Sequence, residues 1–109
     1  GMIDADALRS MKSSAYLINI ARGAIVDETA LLAALKQGWI AGAGLDTFST
    51  EPLPSDSPLW SLPSVFITPH CSAATPQKNQ RIVDLFFDNL RRYHQGQPLK
   101  NVVDKLAGY

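Results

Sequence analysis

The chain has 109 residues, enough for one small domain with a core and little to spare. It is 46% hydrophobic and 18% charged, ordinary values for a soluble globular protein. Ten basic and ten acidic side chains cancel, which removes the broad electrostatic case for nucleic acid or an anionic membrane as partner.

The single cysteine, Cys71, has no internal disulfide partner and suits a reducing, cytoplasmic setting. No apolar run approaches the roughly 20 residues that span a bilayer, and the N-terminus lacks the basic-then-apolar pattern of a signal peptide. Gly1 ahead of Met2 reads as a scar of tag removal, which makes Met2 the expected start.

In chain order, Asp4 is placed to cap a first helix, with Ile3 and Leu8 as a hydrophobic staple across its start. Ser13-Ser14 ends it. Ala15 to Ile20 is a short apolar run, the pattern of a strand buried on both faces. Asp27 reads as the N-cap of a second helix, with Ala30, Leu31, Ala34 and Leu35 on one apolar face and Gly38 as the stop. Ile40 to Leu45 is a second strand, rich in small residues where backbone or ligand approaches closely. Ser49 to Pro63 holds four prolines and several serines and is expected to be a loop.

Val65 to Thr68 forms a third short strand. Thr75-Pro76 reads as N-cap and first-turn proline of a long last helix, along which Ile82, Val83, Phe86, Phe87 and Leu90 recur at helical spacing. Gly96 and Pro98 end it. From Pro76 to Gln95 such a helix reaches roughly 30 Å, long enough to pack on something besides this chain. Strands joined through helices imply a parallel sheet. The fold class is α/β: about three parallel strands with helices and a long C-terminal helix, in one domain over 1–109.

Three polar residues, Arg22, Asp46 and His70, stand at or just beyond strand ends, where open α/β sheets bind ligands, and a fourth, Glu51, lies in the proline-rich loop. His70 follows Thr68-Pro69; an imidazole there can give a proton to an alkoxide or take one from a hydroxyl, or it can simply close a strand. Glu51 is a natural partner, since a carboxylate hydrogen-bonded to imidazole orients the ring; as a lone residue in a proline-rich loop it would be solvated surface. Arg22 directly follows a strand, and its planar guanidinium can hold a carboxylate by two hydrogen bonds. The alternative for Arg22 is a bridge to Asp27 or Glu28. Asp46 ends the second strand and could cap the loop after it. Cys71 beside His70 lacks an oxyanion device or third partner for nucleophilic chemistry, and His70 and His94 stand on different elements without a metal-ligand cluster.

The segments Asn19-Ile20-Ala21-Arg22-Gly23, Gly44-Leu45-Asp46-Thr47-Phe48, Glu51-Pro52 and Thr68-Pro69-His70 together resemble the D-isomer-specific 2-hydroxyacid dehydrogenases, an NAD(P)-dependent family. The likeness runs from Met11 to about Tyr109. Asn89 to Tyr93, Gly96 to Leu99, Asn101 to Asp104 and the final Gly108-Tyr109 resemble the C-terminus of its glyoxylate/hydroxypyruvate-reductase-like branch. The resemblance implies catalytic roles for Arg22 (anchor of the substrate carboxylate), Glu51 (partner of the histidine) and His70 (general acid/base). It places Asp46 against the nicotinamide carboxamide, with Ala21 and the Ser72-Ala73 backbone lining the same cofactor pocket. The implied cofactor is NAD or NADP, and the implied substrate a small 2-oxo or 2-hydroxy acid.

The family's glycine-rich phosphate loop, G-x-G-x-x-G, occurs nowhere in the chain. By resemblance the chain is the C-terminal half of a Rossmann domain with its C-terminal helix, a dehydrogenase fragment silent or nearly so alone. Two uses follow: a part completed by a complementary chain, or a non-catalytic remnant that dimerises. With no strand ahead of Asp4, the Ala15–Ile20 strand would be an apolar edge open to pairing, and a homodimer is expected across that edge or through the long helix.

Overall fold

A computed structural model describes residues 1–108; Tyr109, the last residue of the Gly-Tyr ending, lies outside the described residues. The chain falls into two units, residues 1–72 and residues 73 onward.

In the first unit, the Asp4 side chain accepts from the Ala7 N–H at 2.9 Å and opens helix α1, Ala5–Ser10. The expected staple has its two residues in place: Leu8 is fully buried and Ile3 packs on the same core. Strand β1, Tyr16–Asn19, leads through a 3-10 turn at Gly23–Ile25 to helix α2, Glu28–Gln37. Asp27 caps α2 by accepting from the Ala30 N–H at 3.0 Å, and Gly38 ends it in the left-handed region at φ 70°. That conformation favours glycine. Strand β2, Gly42–Leu45, follows, then the proline-rich loop, then strand β3, Val65–Ile67.

The three strands form one parallel sheet in the order β1-β2-β3, in register at Asn19↔Leu45 and Leu45↔Ile67. Leu8, Leu31, Ala34, Ile40, Leu45 and Leu59 form the heart of the core. Leu59 was expected only as part of a loop, yet a 3-10 turn over Pro58–Ser61 carries it into the core.

β1 differs from its expectation as a strand buried on both faces. Leu17 and Asn19 face inward, but Ile18 is 71% exposed, as is Phe66 on β3 at 72%. Tyr16 is exposed too. A short alternating strand cannot be distinguished from a fully buried one when every residue in it is apolar except the last. Within residues 1–72 the helices cover one sheet face, and a parallel sheet ordinarily has both covered.

The second unit is built on helix α3, Lys78–His94. It begins two residues later than the Thr75-Pro76 signal implied. Lys78 N–H bonds to the Thr75 carbonyl at 3.1 Å, so Thr75 to Lys78 form a turn ahead of the helix, and Gln77 is the N-cap without a side-chain hydrogen bond. Behind α3 the chain folds back. Asn89 accepts from the Lys100 N–H at 2.8 Å and donates to the Lys100 carbonyl at 3.1 Å, while Asp88 pairs with Lys100 and Arg92. The apolar stripe Ile82, Val83, Phe86, Phe87 and Leu90 lies bare, each side chain 44% to 63% exposed. Among the described residues no helix is long and apolar enough to cross a membrane.

Candidate active site

β1, β2 and β3 run parallel, so their carboxyl ends open on one side of the sheet, and the loops leaving those ends carry the expected residues. The strongest feature is a pair. His70 Nδ1 lies 2.7 Å from Glu51 Oε2, and the other carboxylate oxygen, Oε1, accepts from the Phe48 N–H at 2.9 Å. With the carboxylate ionised, Nδ1–H donates and Nε2 is left for proton exchange. The His70 hydrogen bond, then the Phe48 N–H, hold the Glu51 carboxyl below its ordinary value, with smaller attractions from His70 and Arg22. Glu51 is therefore an anion at neutral pH, anchored at both oxygens.

His70 itself sits at φ 51°, in the left-handed region that non-glycine residues seldom occupy. The chain on either side of it bonds to Asp46, the residue after β2. Asp46, 2% exposed, accepts at Oδ1 from the Thr68 hydroxyl (2.5 Å) and the Cys71 N–H (2.8 Å), and at Oδ2 from the Ser72 N–H (2.9 Å). These bonds, led by Thr68, outweigh the burial that opposes ionisation and push the Asp46 carboxyl far below the carboxylate range. The resemblance puts Asp46 against a nicotinamide. The structure shows three of its four acceptor positions already engaged within the chain.

Arg22 projects from the turn after β1 and is exposed. Its Nη1 donates to the Ala21 carbonyl at 2.7 Å. No ion pair with Asp27 or Glu28 occurs among the described residues; Asp27 caps α2, and Glu28 Oε1 accepts from the Ser49 N–H at 2.6 Å. The alternative reading of Arg22 as a structural bridge is thus not realised. Asn19, buried at the end of β1, shapes the turn: it accepts from the Ala21 N–H at 3.1 Å and donates to the Arg22 carbonyl at 3.0 Å. Gly23 lets this turn meet the Glu51 loop, because a Cβ there would fall 2.0 Å from the Phe48 carbonyl carbon.

A cavity of about 580 Å³ opens beside the pair, walled by Phe48, Leu53, Trp60 and Ile67, with Glu51 and His70 as its ionisable lining. It does not reach Arg22. Of the remaining expected residues, Ala21 and Ser72 are exposed, although the Ser72 N–H is turned to Asp46. Ala73 begins the second unit. Sequence reasoning carried Asn19, Gly23 and Thr68 within its motifs without the contacts by which they shape the site. The signal was there in part: a polar residue closing an apolar strand, and a glycine directly after an arginine.

The family model for the D-isomer specific 2-hydroxyacid dehydrogenase, NAD binding domain, matches residues 1–72. A glyoxylate reductase of Korarchaeum cryptofilum is 43% identical over 104 residues, covering 95% of this chain and 31% of its own length. A D-isomer specific 2-hydroxyacid dehydrogenase of Xanthobacter autotrophicus Py2, solved with NADPH and MES, superposes with a TM-score of 0.89 at 42% identity, over 100% of this chain and 35% of that one. An NADPH-dependent glyoxylate/hydroxypyruvate reductase of Sinorhizobium meliloti, solved with NADP and sulfate, gives 0.87 at 32% identity over 100% and 35%. The chain thus spans about a third of the length of these relatives. The α/β architecture with three parallel strands and a long last helix is the Rossmann-like fold of those neighbours. Domain match, fold and relatives agree, and the chain belongs to the D-isomer specific 2-hydroxyacid dehydrogenase family.

Proposed function

We propose that this chain is the C-terminal half of the NAD(P)-binding domain of a D-2-hydroxyacid dehydrogenase and carries the proton-transfer side of its chemistry. The observation that carries this reading is the 2.7 Å His70–Glu51 pair at the carboxyl end of a parallel sheet, with Arg22 on the loop after the neighbouring strand. Glu51 orients the imidazole. His70 Nε2 gives a proton to the oxygen of a reduced 2-oxo acid, and in the reverse direction takes it from the hydroxyl. Arg22 holds the carboxylate of that acid through its guanidinium fork. When bound, the nicotinamide cofactor supplies or accepts the hydride at the 2-carbon. Asp46, Ala21, Ser72 and Ala73 belong to the nicotinamide end of the site in this reading. The chain has no glycine-rich loop for the pyrophosphate, so it holds NAD or NADP weakly alone and is silent or nearly so without a complementary chain. Small 2-oxo acids such as glyoxylate and hydroxypyruvate are the proposed substrates, in a cytoplasmic setting.

Calorimetric titration with NADH and with NADPH tests this. Saturable micromolar binding supports a half-site that survives or is rebuilt in an assembly. A folded chain that binds neither cofactor, alone or with a polypeptide carrying the missing loop, defeats it. The second reading is a homodimerising, non-catalytic module. It is favoured by the bare stripe on α3 and the edge position of β1.

A further inference from the structure

The Asp46 carboxylate reaches across the turn that carries His70. It bonds Thr68 two residues before the histidine, and Cys71 and Ser72 one and two residues after it. Pro69 and His70 are the two residues spanned. Neither makes a backbone hydrogen bond to β2, whose last rung to the third strand is the Thr68 N–H to the Leu45 carbonyl at 3.0 Å. Beyond that rung, what ties the turn to the sheet is Asp46, itself bonded through its N–H to the Asn19 carbonyl at 2.9 Å. A single anion with bonds on both sides of a left-handed residue fixes a conformation the backbone alone disfavours.

We infer that Asp46 is a positioning residue: its carboxylate clamps the Thr68–Ser72 turn and thereby sets His70 in the φ 51° conformation that brings Nδ1 to Glu51. Three of its acceptor positions are taken by the chain's own N–H and O–H groups, and the fourth stays for the nicotinamide end of the proposed site. The inference rests on His70 being the proton-transfer group of the proposed function, but its consequence is structural and readable without turnover. Loss of the clamp releases the turn and breaks the His70–Glu51 pair, while the core around Leu31 and Leu45 stays as it is.

Asp46→Asn is the variant of choice. Whichever way the amide sits, a backbone N–H of Cys71 or of Ser72 then faces an NH₂ group and loses its acceptor. The experiment is nitrogen-15 NMR of the 109-residue chain at pH 7, reading the His70 ring nitrogens and the Nδ1 proton, with His94 in the other unit as internal control. Glu51→Gln marks the signal expected when the pair is weakened directly. The expected result for Asp46→Asn is selective loss of the His70 Nδ1–H signal, with His94 and the α2 amides unchanged. An unchanged His70 overturns the inference. So do shifts spread evenly through residues 1–72 without selective loss at His70, which mark a merely structural role. If Asp46→Asn does not fold, Thr68→Val decides, since it removes one of the three bonds. A selective shift at His70 then supports the clamp, and an unmoved His70 overturns it. A failed cofactor titration bears on the proposed function and leaves these spectra to judge the clamp separately.

Discussion

Asp46 and Thr47 are neighbours, each 2% exposed, and opposite in how their polar atoms are met. Asp46 has three donors, while the Thr47 hydroxyl has no hydrogen-bond partner. A buried hydroxyl without a partner costs roughly what a lost hydrogen bond costs, so Thr47→Val should raise stability by about 1 kcal/mol. Urea unfolding checks it, and a loss of stability would show that the hydroxyl has a partner. The carboxylates set the response to acid. Asp46 and Glu51 both have lowered values in the folded chain, so unfolding takes up protons and their contribution is fully present above the ordinary carboxylate range. It is lost as pH falls below about 4 and on through the folded values. Thermal unfolding between pH 6 and pH 2 should show this decline, with a flatter profile for Asp46→Asn; parallel profiles would contradict it. At this scale the sequence named Arg22, Glu51 and His70 as candidates, and the structure brings Glu51 and His70 into contact. The sequence carried Thr68 in a motif but did not reveal its bond to Asp46, because a hydrogen bond between residues 22 apart has no local trace.

Among elements, local signals were the legible ones. Asp4, Asp27 and Gly38 act on backbone groups within three or four residues, and all three do what their residue types imply. The buried 3-10 turn at Leu59 and the late start of α3 were not legible: prolines mark a turn without saying whether its apolar residue finds a core. Gly23 illustrates an element junction. A Cβ would lie 2.0 Å and 2.1 Å from the Phe48 carbonyl carbon and oxygen, which are backbone atoms and cannot rotate aside. Gly23→Ala should destabilise the first unit by about 3 kcal/mol or more and separate the Arg22 turn from the Glu51 loop. Chemical denaturation read by Trp39 and Trp60 fluorescence measures the first effect, and a wild-type midpoint would disprove the close approach.

For the whole molecule, each unit has its own bare apolar surface: Tyr16, Ile18 and Phe66 on one sheet face of the first, and the stripe on α3 in the second. Contiguous exposed apolar surface of this kind marks contact sites. In the dimer reading, Phe86→Glu should shift sedimentation toward monomer while leaving the helical signal intact. A wild-type chain that stays monomeric at all concentrations would remove the dimer reading altogether. The sequence by itself determined the α/β alternation, the caps at Asp4, Asp27 and Gly38, the apolar face of α2 and the family, because these rest on periodicity, on interactions within one turn of helix, and on motifs a few residues long. Tertiary structure decided the rest. It showed which face of β1 is covered, that Arg22 is not bridged to the start of α2, and that Asp46 spends its oxygens on the His70 turn. Each of these depends on which residues meet across the sheet, and that is settled by packing and strand register rather than by any local stretch of chain.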